Sequence, residues 1–114
     1  MLSLELRNEG AVTIVEATGD LDVASAPELR AALGQQVDSG KTQLVVDLSG
    51  VPFVDSTGLG TLVAAMRQAK QAGGSLKLAA PRDTVSRVLT LTRMREFFDL
   101  SATVDEAVRR FQPA

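Results

Sequence analysis

The chain has 114 residues, enough for one hydrophobic core and too few for two. It contains no Cys, His, Trp or Tyr, which excludes disulfides, thiolate or imidazole catalysis and sulfur- or His-ligated metals. With 12 basic against 14 acidic side chains the formal charge is -2, no run of Lys or Arg builds a nucleic-acid stripe, and no apolar stretch is long enough to span a bilayer.

The N-terminus lacks the basic start and apolar core of a secretory signal, so a cytoplasmic location is expected. Leu2, Leu4 and Leu6 alternate with polar residues, the period of a half-buried strand. Asn8-Glu9-Gly10 reads as a turn, and the β-branched run from Val12 to Val15, within Ala11 to Thr18, pairs back as a hairpin. Gly19-Asp20-Leu21-Asp22 ends it with two carboxylates in one loop. Ser25 with Glu28 predicts a capping box, Pro27 suits the first helical turn, and Ala26, Leu29, Leu33 and Val37 form an apolar face ending at Ser39-Gly40. The near-continuous apolar run in Gln43 to Leu48 predicts a central strand covered on both faces.

Val51 to Val54 leads into Asp55-Ser56-Thr57-Gly58-Leu59-Gly60, where a second helix begins with Asp55 or Ser56 as its N-cap. Leu59, Leu62, Val63 and Met66 give it a core face, and Gly73-Gly74 ends it. Leu76 and Leu78 mark a short strand stopped by Pro81; Val85, Val88 and Leu89 mark a third helix; Phe97 to Leu100 is expected as an edge strand. Thr103 with Glu106 predicts another capping box, before a closing helix with Val104, Ala107, Val108 and Phe111 on one side. The order β-β-α-β-α-β-α-β-α predicts a single α/β domain over residues 1–114: a mixed, mostly parallel sheet of about five strands with an N-terminal hairpin and about four helices.

Gly58 and Gly60 break the helix rule, since each costs about 1 kcal/mol relative to Ala. Close packing against the neighbouring strand, conformational freedom at the turn, or a docking face accounts for them. On a helical wheel Thr57, Gly60, Thr61, Ala64 and Gln68 oppose the core, a small uncharged face where a solvated helix normally carries Lys, Glu and Arg. A hydroxyl at this helix start is also set where a phosphate would meet N–H groups and the positive dipole end, although the Gly-Lys-Ser/Thr ending of a nucleotide-binding loop is missing. Asp20 and Asp22 have no evident base, nucleophile or metal partner, so neither catalysis nor a cofactor is expected.

Three blocks give the chain a resemblance to a known family: Gly19-Asp20-Leu21-Asp22 with Pro27-Glu28-Leu29-Arg30, Val45-Val46-Asp47-Leu48-Ser49, and Phe53-Val54-Asp55-Ser56-Thr57-Gly58-Leu59-Gly60. It resembles the STAS family over essentially its whole length, and within it the anti-sigma factor antagonists. The resemblance implies a STAS-type fold and a phosphoacceptor at Ser56. It implies an anti-sigma factor serine kinase that binds the unphosphorylated form, releases its sigma factor and lets go once Ser56 is phosphorylated, and a metal-dependent serine phosphatase that reverses the modification. Asp20, Asp22 and Asp55 match acidic positions around that serine, and with Thr57, Gly58, Gly60, Thr61 and Ala64 they make up the expected partner-binding set. The rival expectation is a stand-alone STAS scaffold subunit of a membrane lipid-transport complex or a stress-signalling assembly.

Overall fold

In the computed structural model, which describes residues 2–111, the chain opens with strands β1 (Ser3–Glu9) and β2 (Val12–Thr18), paired antiparallel around a tight turn at Gly10 and Ala11. Leu2 is buried, Leu4 half-buried and Leu6 exposed, so the apolar alternation of β1 is only partly used, as befits a strand at the sheet edge. Helix α1 (Ala26–Asp38) leads to β3 (Gln43–Gly50), helix α2 (Ser56–Gln71) and β4 (Ser75–Ala79). The sheet order is β1-β2-β3-β4, with β2, β3 and β4 parallel. Helices α3 (Asp83–Leu91), α4 (Met94–Phe97) and α5 (Val104–Arg109) complete the described residues.

The apolar run of β3 does what its composition requires. Leu44, Val46 and Leu48 pack in the larger core with Leu29 and Leu33 of α1, Leu62 and Met66 of α2, and Leu89 of α3. Val45 points the other way, into a smaller cluster with Ile14, Ala79, Ala107 and Val108. Both faces of β3 are therefore covered, one by α1 to α3 and the other by α5. Helix α2 ends where Gly73 turns left-handed (φ 92°) and the Gly74 N–H reaches back to the Ala69 carbonyl at 2.8 Å, a closure that favours glycine.

Three local expectations are corrected. The expected mixed α/β architecture is borne out, with four strands and five helices among the described residues, but Phe97 to Leu100 is not a strand. Phe97 closes α4, Asp99 is left-handed (φ 49°), and the Leu100 N–H returns to the Arg95 carbonyl at 2.9 Å. Extension resumes only at Ser101, which makes an isolated parallel bridge to Ala79. The Ser25–Glu28 capping box does not form: the Ser25 hydroxyl turns back to donate to the Asp20 carbonyl at 2.8 Å and accept from the Asp22 N–H at 3.0 Å. The Thr103 box is half formed, since Thr103 caps the Glu106 N–H while the Glu106 carboxylate pairs with Arg110 at 2.9 Å.

Candidate functional site

The start of α2 is built by a parallel bridge between Leu21 and Val54. The Leu21 N–H donates to the Phe53 carbonyl at 2.9 Å and the Asp55 N–H to the Leu21 carbonyl at 3.0 Å, bringing the loop after β2 against the helix N-terminus. Asp55, not Ser56, is the N-cap. One carboxylate oxygen accepts from the Gly58 N–H at 2.8 Å, and the other accepts from the Val23 N–H at 3.1 Å across the loop junction. A single side chain thus caps the helix and ties it to the Asp20–Asp22 loop.

Gly58 and Gly60 separate on this geometry. A Cβ on Gly58 would lie 2.2 Å from the Leu21 carbonyl oxygen, so its smallness is a packing requirement. A Cβ on Gly60 would meet nothing within 4 Å, and the residue is exposed. Among the described residues no intramolecular contact explains Gly60. Thr61 is corrected: it is buried, with its hydroxyl donating to the Thr57 carbonyl at 3.0 Å, so it belongs to the core side of α2 and not to the outer face. Ser56, Thr57, Gly60, Ala64 and Gln68 do share the exposed face. Gly58 and Thr61, both expected in the partner-binding set, are buried.

Ser56 is exposed at the first position of α2, and among the described residues its hydroxyl has no hydrogen-bond partner. The N–H groups of Ser56 and Thr57 precede the first intrahelical acceptors and are left to solvent by the Asp55 cap, which takes the Gly58 N–H. Among the described residues no side-chain base is hydrogen-bonded to the Ser56 hydroxyl.

The two loop carboxylates differ. Asp22 accepts from the Ala24 and Ser25 N–H groups at 3.1 and 3.0 Å, which orders the turn into α1. The Asp20 carboxylate makes no hydrogen bond among the described residues; with Asp22 and Glu28 it lines a shallow acidic depression of about 350 Å³. Two further residues bear on the site. Val23 is 69% exposed and Phe53 51%, on the two loops joined by the Leu21–Val54 bridge, which meet at the Asp55 cap. Their sequence signal was an apolar residue stranded among turn residues, after Asp22 and after Pro52. Nothing in the periodicity distinguished it from core.

Among the described residues no group of His, Cys, Asp or Glu is placed to hold a metal ion, and no helix is long and apolar enough to cross a membrane.

Comparison with known proteins gives the family and the fold. The STAS domain family model matches residues 3–107. The anti-sigma-B factor antagonist of Bacillus subtilis is 36% identical over 95 residues, covering 83% of this chain and 86% of that protein. A crystal structure of an anti-sigma factor antagonist from Mycobacterium paratuberculosis superimposes with a TM-score of 0.90 at 28% identity, covering 99% of this chain and 96% of that one. The fold is shared with a Thermotoga maritima protein described as a putative anti-sigma factor antagonist, at a TM-score of 0.91, 23% identity, and 96% and 95% coverage.

Proposed function

The chain belongs to the STAS domain family, and from that premise we propose that it is an anti-sigma factor antagonist switched by phosphorylation of Ser56. The unmodified protein docks an ATP-binding anti-sigma factor kinase in the cytoplasm, through Ser56, Thr57, Gly60 and Ala64 with Val23 and Phe53 at the rim, and so frees the sigma factor. Transfer of the γ-phosphoryl group of ATP to the Ser56 oxygen ends the contact, and a metal-dependent serine phosphatase restores it. The protein itself catalyses nothing in this cycle.

The observation that carries the reading is Gly60. A helix-breaking residue persists one turn from an exposed serine, in open space, where no packing demands it. Close approach of a partner backbone gives it a use. The B. subtilis relative, an anti-sigma-B factor antagonist by name, supports the partner class.

Phosphate on Ser56 adds roughly -1.5 to -2 charges at the positive end of α2, beside two free N–H groups, so the fold tolerates it. Asp55 stands next to it with both oxygens already engaged, and Asp20 and Asp22 lie on the adjoining loop. Burying that dianion against a surface shaped for a hydroxyl costs several kcal/mol, and about 5.5 kcal/mol would carry the complex from almost fully bound to almost fully free.

Binding to the ATP-binding anti-sigma kinases of the source cell tests this by calorimetry, with phosphate located by mass spectrometry. Ser56→Ala should bind constitutively, Ser56→Asp weakly with unchanged circular dichroism, and Gly60→Arg not at all while remaining folded. Phosphate entering at Thr57, or undiminished binding by the phosphorylated parent, would sink the switch. Copurification with a membrane transporter instead of a kinase would favour the scaffold role.

A further inference from the structure

We propose that the C-terminal half of α2 and helix α4 form a second docking site, a groove for an acidic protein segment that carries an apolar anchor. It goes beyond the Ser56 surface: Lys70 lies 14 residues beyond Ser56 on the same helix, about 21 Å at 1.5 Å per residue.

The groove, about 230 Å³, is lined by Met66, Arg67, Lys70, Gln71 and Phe97. Its apolar part is held in place. The Met66 side chain is buried and its sulfur accepts the Leu76 N–H at 3.2 Å. The Phe97 ring, 37% exposed, stands edge-on to the fully buried Phe98 with centroids 4.9 Å apart. A fixed aromatic wall beside a fixed floor receives an anchor side chain at little ordering cost.

The rim is cationic. Arg67 and Lys70 are exposed, and neither forms an ion pair among the described residues. Lys70 also suits the negative end of the α2 dipole, but Arg67 lies a turn earlier and gains nothing from it. An apolar floor under a cationic rim is complementary to an acidic, apolar-anchored peptide. A lipid surface would call for a broad apolar face, and a groove of this size offers a pocket instead.

The probe is a synthetic, helix-forming peptide with leucines on one face and glutamates along both flanks, titrated into the ¹⁵N-labelled full chain and followed by amide chemical shifts. Shifts should concentrate on residues 66–71 and 93–98 and spare Ser56 to Gly60. Arg67→Glu with Lys70→Glu, both at exposed positions, should weaken binding roughly tenfold, and raising NaCl from about 50 to about 300 mM should weaken it in the parent. Phe97→Ala should also weaken it, and Ser56→Asp should bind the peptide as the parent does, whatever becomes of the anti-sigma reading. No binding, equal binding of a peptide with Lys in place of Glu, or shifts confined to the Ser56 end would overturn the proposal. So would self-association of the chain through this groove, or binding to phosphatidylserine vesicles in place of the peptide.

Discussion

Two glycines two residues apart on α2 should respond to the same substitution with opposite sign. In Gly58→Ala the new methyl would stand 2.2 Å from the Leu21 carbonyl oxygen and 2.6 Å from its carbon, so the loop must give way by about an ångström. That carbonyl is not free to move: it accepts the Asp55 N–H at 3.0 Å, the Leu21 N–H is committed to Phe53 at 2.9 Å, and the Leu21 side chain is fully buried. Overpacking costs about 1–3 kcal/mol and a weakened hydrogen bond about 1, against a gain of about 1 from helix propensity. The net is a loss of about 1–3 kcal/mol. In Gly60→Ala the methyl meets nothing within 4 Å, so only the propensity gain of about 0.5–1 kcal/mol remains. Urea unfolding followed by circular dichroism at 222 nm measures both, the chain having no Trp or Tyr to report by fluorescence. If Gly58→Ala proved as stable as Gly60→Ala, the close approach of Leu21 to α2 would not exist as described and the assignment of the two glycines would collapse.

Asp55→Ala removes the cap on Gly58 and the tie to Val23, and should lower stability by about 1–2 kcal/mol; a thermal midpoint equal to the parent's would show that the cap contributes nothing. Asp22→Asn keeps the oxygen that accepts the Ala24 and Ser25 N–H groups, so it should leave the melting temperature nearly unchanged while Asp22→Ala lowers it. Equal losses in the two variants would assign the effect to charge instead of the turn. Asp99 is opposed by burial, yet hydrogen bonds and charge from Lys77 and Arg110 hold its carboxyl below the ordinary value. A depressed folded value means that this stabilisation is present above pH 4 and is lost as pH falls through the folded value. Asp99→Asn, which also tolerates the left-handed backbone, should therefore cost about 1 kcal/mol at most near neutrality, and its gap to the parent should narrow as pH falls below the ordinary carboxyl range. Denaturant unfolding across that range would refute this if the gap widened in acid.

Much of the site could be read from local sequence because its causes are local. A capping Asp before a Ser-Thr-Gly run marks the start of α2, and the Leu62, Met66 spacing marks its inner face. The β-branched and Leu-rich runs mark β2 and β3, and Gly73-Gly74 marks the end of α2. Each of these depends on hydrogen bonds or periodicity within a few residues, so the chain itself determines it.

What the tertiary structure decided depends on neighbours far along the chain. Gly58 is required and Gly60 is not because Leu21, 37 positions earlier, crosses one glycine and misses the other. Thr61 lies inside because the helix packs with a broad buried arc of Gly58, Thr61, Leu62, Ala65, Met66 and Ala69, wider than the stripe of large side chains suggests. Ser25 abandons its expected cap because the loop folds back and offers the Asp20 carbonyl. Phe97 to Leu100 reads as a strand by composition, but Phe98 reaches the core from a helix end, and Asp99 turns left-handed with its carboxylate against Lys77. Side-chain pattern specifies which surfaces are apolar; only the assembled sheet and helices determine which of those surfaces are covered, because coverage is a contact between segments whose separation in sequence local rules do not span.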